Sequence, residues 1–282
     1  MEVVDYDPEL PAIKFSDGSW EAVDRVVAYD SVKSKAARIV SGGEKPPKAT
    51  GTSAFRMMIP DEKMAGVSER FKENNLIREK FNKDNSAVCE EWTARCDKQV
   101  LLDEFGHWHP LFQEIFKAAD DDPLLWKGCS RAPRDTLHKG KLCMLGDALH
   151  PMPPFRAQGG SQSIEDAGAL EMIATNLVDR SELPKRLEML DRLRVPRYSC
   201  AQMISSVRQD ELNMEERYIE VLNQCRKWFE GEDQSHRKAV SLISKEIIGP
   251  RTDTVRHRAA FQQWLHSYDV GDAAGRAVSK ET

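Results

Sequence analysis

Short apolar runs separated by polar turns dominate the first part of the chain. Residues 12–15 and 23–29 are rich in β-branched and aromatic side chains, which predicts two strands flanking a turn at Asp17-Gly18. Another such run predicts a strand at 51–60 that ends at Pro60. The pattern of residues 1–60 therefore predicts strands joined by short turns.

Helical spacing dominates the rest of the chain. A helix is predicted over 98–119, around four aromatic residues: Phe105, Trp108, Phe112 and Phe116. After a short strand at 142–145, a second helix is predicted over 161–179. Its apolar face comprises Ile164, Ala167, Leu170, Ile173, Ala174, Leu177 and Val178. In the C-terminal hundred residues, the pattern predicts helices that are interrupted at Pro184, Pro196 and Pro250.

Residues 142–160 (LCMLGDALHPMPPFRAQGG) carry the strongest chemical signal. An apolar strand meets Gly146-Asp147, and Gly159-Gly160 then opens the helix, with Ser161 and Ser163 as candidate caps. A helix N-terminus presents unpaired amides with a partial positive charge, which favours an anionic, electron-rich ligand. Asp147, just past a strand end, is suited to accept hydrogen bonds from sugar-like hydroxyls.

This run resembles the second flavin-binding signature of the FAD-dependent aromatic hydroxylases, a family that includes salicylate hydroxylase and many fungal secondary-metabolite monooxygenases. Residues 92–116, 126–141 and 264–270 are also similar to family segments, so the resemblance covers about residues 3 to 275. It implies an α/β fold: a partial FAD-binding Rossmann-like domain, a remnant of the substrate-domain sheet and a helical C-terminus. The implied segments are 1–50 (residual FAD-domain strands), 51–130 (reduced substrate-binding domain), 131–180 (the FAD domain resumed) and 181–282 (C-terminal helices).

The resemblance also implies a function: an FAD flavoprotein using NAD(P)H and oxygen to hydroxylate or epoxidise an aromatic, polyketide-type or terpenoid molecule in secondary metabolism. FAD and NAD(P)H are then the implied cofactor and co-substrate. The implied cofactor-binding residues are Asp147 for the ribityl chain, Gly159 and Gly160 for the polar edge of the flavin ring, Pro153 and Pro154 for the ring-facing loop, and Asp30. Arg56 matches an arginine that orients the substrate in some members, although an exposed strand arginine is an equal alternative.

Several departures from the family leave the function open. No G-x-G-x-x-G unit for the FAD pyrophosphate occurs in the sequence. Residues 28–31 read A-Y-D-S where the family has G-A-D-G, so Tyr29 and Ser31 are expected to crowd the cofactor. Three hypotheses follow: a monooxygenase represented by a truncated chain, a flavin-free derivative that catalyses an isomerisation or cyclisation, and a non-catalytic binding protein.

The composition of the chain narrows the classes of partner and the compartment that we expect for the protein. The 41 basic and 46 acidic residues give a net charge of −5, which argues against nucleic-acid binding. No apolar stretch approaches the roughly 20 residues of a membrane span. The six cysteines are scattered and the N-terminal residues do not resemble a signal peptide, which favours free thiols and a cytoplasmic location. Without the first flavin-binding unit, an exposed sheet is expected to need a dimer or partner for solubility.

Smaller groups of residues receive structural interpretations. His107 and His109 have no metal-ligand partners at suitable spacing, so no metal site is predicted. Glu165 and Asp166 point about 100° apart on a helix, which predicts a first-turn acidic pair rather than one shared site. For His150, a role in proton movement and a role in fixing the loop both stay open.

Overall fold

The computed structural model describes residues 1–43, 48–64, 67, 70, 94–175, 177, 179–207, 213–225 and 269–281. The chain divides into two compact units. The main unit comprises residues 1–46 and 131–282, and the smaller unit comprises residues 47–130.

The strands described in the main unit form two three-stranded sheets. The first sheet is an antiparallel meander of β1 (Val3–Asp7), β2 (Ala12–Phe15) and β3 (Trp20–Ala22). The second has the order β4-β8-β7. Its strands are β4 (Val26–Ala28), β7 (His138–Lys139) and β8 (Leu142–Met144). Because β4 and β8 run parallel, their carboxyl ends lie at one edge, where the turn after β8 begins.

Five helices are described in the main unit. They are α1 (Ala36–Val40), α4 (Gln158–Ala174), α5 (Leu183–Ser205), α6 (Met214–Cys225) and α7 (Val270–Glu281). The largest buried cluster joins the second sheet to α1, α4, α5 and α7, with Leu142, Met144 and Leu190 fully buried within it. Burying such side chains stabilises each by about 1.5–3 kcal/mol, so this cluster holds the sheet edge and the helices together.

In the described part of the smaller unit, two antiparallel strands pair with each other, and two α-helices lie between them in sequence. The strands are β5 (Lys48–Arg56) and β6 (Leu124–Ser130), and the helices are α2 (Lys98–Glu104) and α3 (Pro110–Ala118). The predicted aromatic group forms a cluster in which Phe105 and Trp108 have ring centroids 4.7 Å apart. The predicted strand at 51–60 begins three residues earlier and ends at Arg56 rather than at Pro60.

The predicted turn at Asp17-Gly18 is present, and strands lie within both predicted ranges. Ser19 donates its backbone amide and hydroxyl to the Asp17 carboxylate, and β3, which was not predicted, follows immediately and pairs with β2. Val26–Ala28, the strand within 23–29, instead joins the second sheet beside Leu142–Met144. The apolar pattern identified a strand, whereas long-range burial chose its partner.

Two helix predictions were wrong for opposite reasons. The helix predicted over 98–119 is broken between Glu104 and Pro110, since a residue before proline avoids helical angles and His109 caps α3 through its ring nitrogen. Conversely, Pro196 lies inside α5 without ending it. Helix α5 is buried on all sides from Leu193 to Gln202, so tertiary packing offsets the missing backbone hydrogen bond. The predicted interruption at Pro250 lies outside the described residues.

Candidate cofactor site

The turn after β8 exposes a single carboxylate. Every residue from Leu142 to Pro151 is buried except Asp147. The amides of Leu149 and His150 both donate to the carbonyl of Gly146 at 2.9 Å, which closes the segment from 146 to 150 on itself. This tight turn holds Asp147 outward at the edge of the sheet, with no hydrogen bond to its carboxylate from any residue that the structure describes.

The N-terminus of α4 lies beside Asp147. Ala157 precedes the helix in the left-handed conformation (φ 53°), and as the N-cap residue it makes no side-chain hydrogen bond to the first-turn amides. A Cβ atom added to Gly159 would lie 3.9 Å from Oδ1 of Asp147, and one added to Gly160 would meet nothing within 4 Å. The proposed capping role of Ser161 and Ser163 is therefore wrong: the helix starts before both, and Ser163 donates to the carbonyl of Gly159.

A pocket of about 320 Å³ lies over this junction. Its lining consists of Asp147, Met152, Pro154, Ala157, Gly159, Gly160 and Ser163. Uncapped amides and the helix dipole favour an anionic group at one side, and Asp147 accepts hydrogen bonds from hydroxyl groups at the other. The glycines leave backbone exposed to a flat ligand, so the residues present fit a flavin with its ribityl chain.

Behind the pocket, one buried carboxylate holds the turn. Asp166 on α4 is fully buried. Its Oδ2 accepts from the amide of Gly146 at 2.9 Å and lies 2.7 Å from Nε2 of His150. Since a carboxylate only accepts, Nε2 of His150 carries the hydrogen in this contact. The two ends of the Asp147 turn are therefore fixed to the same side chain.

Two arginines of α5 balance the carboxylates of α4. Arg194 is fully buried and donates through Nε to Oδ1 of Asp166 at 2.8 Å, through Nη1 to Oε2 of Glu165 at 2.6 Å and through Nη2 to Oε1 of Gln162 at 2.9 Å. Arg197 donates to Oε1 of Glu165 at 2.7 Å. Two positive and two negative charges thus form one buried network between α4 and α5. Networks of this kind are stable only when every member is paired.

The pKa of Asp166 lies below its ordinary value. Burial acts to raise the pKa, but Arg194, His150 and the Gly146 amide together stabilise the anion by more. The carboxylate is therefore ionised in the native protein at neutral pH and favours folding there.

The apolar face predicted for this helix was partly wrong. Ile164 is 75% exposed, whereas the buried face comprises Gln158, Gln162, Asp166, Ala169 and Ile173. Glu165 and Asp166 are not a first-turn pair, because α4 begins at Gln158 and both contact Arg194. The residues missed were the polar ones of the buried face. The available signal was the matching pair of arginines, three residues apart, at 194 and 197.

The other proposed site residues occupy different places. Pro153 is buried just before the short turn that contains Pro154. Of these two prolines, Pro154 is the one that lines the pocket. Asp30 is exposed and accepts from the Tyr6 hydroxyl at 3.1 Å, and it is not among the described residues that line the pocket. Arg56, in the smaller unit, has its guanidinium 4.8 Å from the centre of the Trp126 ring.

His150 occupies a structural position. His150 is fully buried against Asp166 and the ring of Tyr198, which supports the role of fixing the loop. Within the described ranges, no group of three or more His, Cys, Asp or Glu side chains is arranged to hold a metal ion. No helix in the described part of the chain has the length and apolarity needed to cross a membrane.

The strand, the glycine-aspartate turn and the open helix N-terminus form an arrangement that fits the FAD-binding part of a flavin hydroxylase fold. Residues 126–182 match the family described as "FAD binding domain". The structure aligns over 98% of this chain with 69% of a salicylate hydroxylase in its substrate complex, at a TM-score of 0.63 and 20% identity. That likeness confirms the predicted mixed α/β fold class.

Sequence comparison identifies fungal relatives. The chain is 29% identical to the FAD-dependent monooxygenase phomE' of Diaporthe leptostromiformis, over 73% of this chain and 59% of that protein. It is also 29% identical to the FAD-dependent monooxygenase cfoG of Aspergillus candidus, over 79% of this chain and 58% of that protein. The chain thus spans about three fifths of the length of these relatives. The predicted resemblance to the FAD-dependent aromatic hydroxylase and monooxygenase family is confirmed.

Proposed function

We propose that the chain is an FAD-dependent monooxygenase of secondary metabolism that acts in the cytoplasm. It would use NAD(P)H and oxygen to hydroxylate or epoxidise an aromatic, polyketide-type or terpenoid molecule. The observation that carries this proposal is the single exposed carboxylate, Asp147, beside the uncapped N-terminus of α4. The fungal relatives, both described as FAD-dependent monooxygenases, support it.

Each proposed residue has a role that its surroundings can support. Asp147 would accept hydrogen bonds from the ribityl hydroxyls, while the amides near Gly159 and Gly160 would face the polar edge of the flavin ring. Pro153 and Pro154 would shape the loop beside the ring. When bound, FAD supplies the redox and oxygen chemistry, and the protein supplies binding, orientation and exclusion of water.

The remaining roles belong to other parts of the chain. Asp30 would contribute to the FAD-binding part through the segment that Tyr6 holds in place. Arg56 would orient the substrate from residues 51–130, the proposed substrate-binding segment. Residues 1–50 and 131–180 would form the FAD-binding part, and 181–282 its helical support.

Flavin retention tests the proposal. We expect the purified chain, incubated with excess FAD and desalted, to keep the visible flavin band, and Asp147→Ala to lose it. Asp24→Ala is the matched control, because this exposed carboxylate pairs with the exposed Arg180 and its loss should leave the band unchanged. Flavin-loaded protein would then be tested for NAD(P)H-dependent oxygen uptake. Absence of flavin in the wild-type chain would favour the flavin-free isomerase or binding-protein hypotheses.

Exposed apolar side chains support a second copy or another partner as part of the working protein. Trp20 and Tyr29 are 50% and 52% exposed, and Val23 and Val27 are 37% and 38% exposed. Exposed apolar side chains favour association where they gather in one patch. We expect sedimentation velocity to show a dimer or larger species, weakened by Trp20→Glu. A soluble monomer with cooperative thermal unfolding would contradict this expectation.

A further inference from the structure

We infer that Asp166 is a positioning residue that sets the distance between the two halves of the cofactor site. This inference rests on the proposed function, because it concerns how the FAD-binding groups are held. The residue itself is fully buried and has no direct access to a ligand in the pocket. Its effect would pass through Gly146, His150 and the helix that carries it.

The geometry separates Asp166 from an ordinary buried ion pair. One of its oxygens serves the Asp147 turn, through Gly146 and His150, and the other serves Arg194. The same helix presents Gly159 and Gly160 to the pocket about 10 Å away, given a rise of 1.5 Å per residue. A single side chain therefore ties the turn that carries Asp147 to the helix whose N-terminus faces it.

The second oxygen explains why this anchor is stiff. Arg194 is itself fixed by Glu165 and Gln162, and Glu165 is held in turn by Arg197. Asp166 consequently has little freedom to rotate away from Gly146. The network therefore holds the turn in a fixed position relative to α4 and α5. If the turn were loosened, Asp147 could move relative to the flavin.

The first test compares two variants that break the same ion pair. In Asp166→Asn, the side chain offers one acceptor oxygen to three donors, so the turn loses part of its anchor. In Arg194→Met, the ion pair is lost, but the carboxylate still accepts from Gly146 and His150. Amide hydrogen exchange in the cofactor-free protein should show residues 146–150 accelerated relative to strand β8 clearly more in Asp166→Asn than in Arg194→Met, because only the first variant removes acceptors from the turn itself. Equal increases in exchange at residues 146–150 in both variants would mean that Asp166 has a purely structural role, and would overturn the inference.

Cofactor affinity provides the second readout. We expect Asp166→Asn to weaken FAD binding about tenfold or more relative to Arg194→Met, measured by fluorescence titration where both are folded. If wild type does not bind FAD, the proposed function fails, while the exchange experiment still tests the anchor. If wild type and Asp166→Asn bind equally, the inference fails alone.

A third variant covers the case in which Asp166→Asn does not fold. His150→Phe keeps the ring against Tyr198 and leaves the Asp166–Arg194 pair intact, while it removes one of the two bonds to the turn. It should accelerate exchange at 146–150 and weaken FAD binding, with little change in β8. Unchanged exchange in His150→Phe together with unchanged affinity would overturn the inference.

Discussion

Arg194→Met should lower the free energy of unfolding by about 3–5 kcal/mol, the usual cost of leaving a buried charge without its partner. The buried Asp166 carboxylate loses its charged partner in this variant, and Glu165 and Gln162 lose a donor at the same time. Chemical denaturation monitored by circular dichroism measures this loss directly. Because native proteins are marginally stable, the variant should unfold well below the wild-type midpoint.

Two controls test whether the buried network causes this loss. Arg217→Met removes an exposed arginine that pairs with Glu220 and should cost no more than about 1 kcal/mol. In the double variant Asp166→Leu/Arg194→Met, both buried charges are gone, so part of the lost stability should return. A loss of under about 1 kcal/mol in Arg194→Met would mean that the network contributes little.

Gly146→Ala should destabilise the protein by about 2–4 kcal/mol through two separate effects. Gly146 has a positive φ of 59°, a conformation that costs a residue with a side chain roughly 1–2 kcal/mol. An added Cβ would also lie 2.7 Å from Cζ of Tyr29, so the ring must move or the turn must shift. Thermal unfolding measures the total loss of stability, and flavin retention shows whether the shifted turn also weakens the cofactor site.

The two effects in Gly146→Ala can be separated. Tyr29→Ala/Gly146→Ala removes the clash and keeps the backbone cost, so it should be more stable than expected from the sum of the single variants. Gly160→Ala is a matched control, since its Cβ meets no atom within 4 Å and its stability should be close to wild type. A wild-type melting temperature for Gly146→Ala would contradict the close contact with Tyr29.

The contact of Tyr29 with Gly146 bears on the departure from the family pattern. Tyr29 stands where the resemblance predicts a small residue, and its ring covers the backbone of the turn. Ser31 stands where a glycine is expected and adopts a φ of 68°, a conformation suited to glycine. Ser31 therefore holds a glycine-like backbone conformation, and the Tyr29 ring leaves no room for a side chain at position 146.

Local sequence predicted the parts of the site that depend on local chemistry. A short apolar strand followed by Gly146-Asp147 required a tight turn, and Gly159-Gly160 marked the start of a helix. Proline and glycine act through the backbone of their own segment, so their effects can be predicted without knowing the fold. For the same reason Pro110 could have predicted the break between α2 and α3.

By itself, the sequence determined the strand, the turn with its exposed aspartate, the following helix and the family they resemble. The tertiary structure alone decided which face of α4 is buried, because a buried polar face is stable only where charges from another helix meet it. It also decided that Pro196 stays inside a helix and that Val26–Ala28 pairs with Leu142–Met144. These outcomes depend on contacts between residues far apart in sequence, which no local pattern specifies.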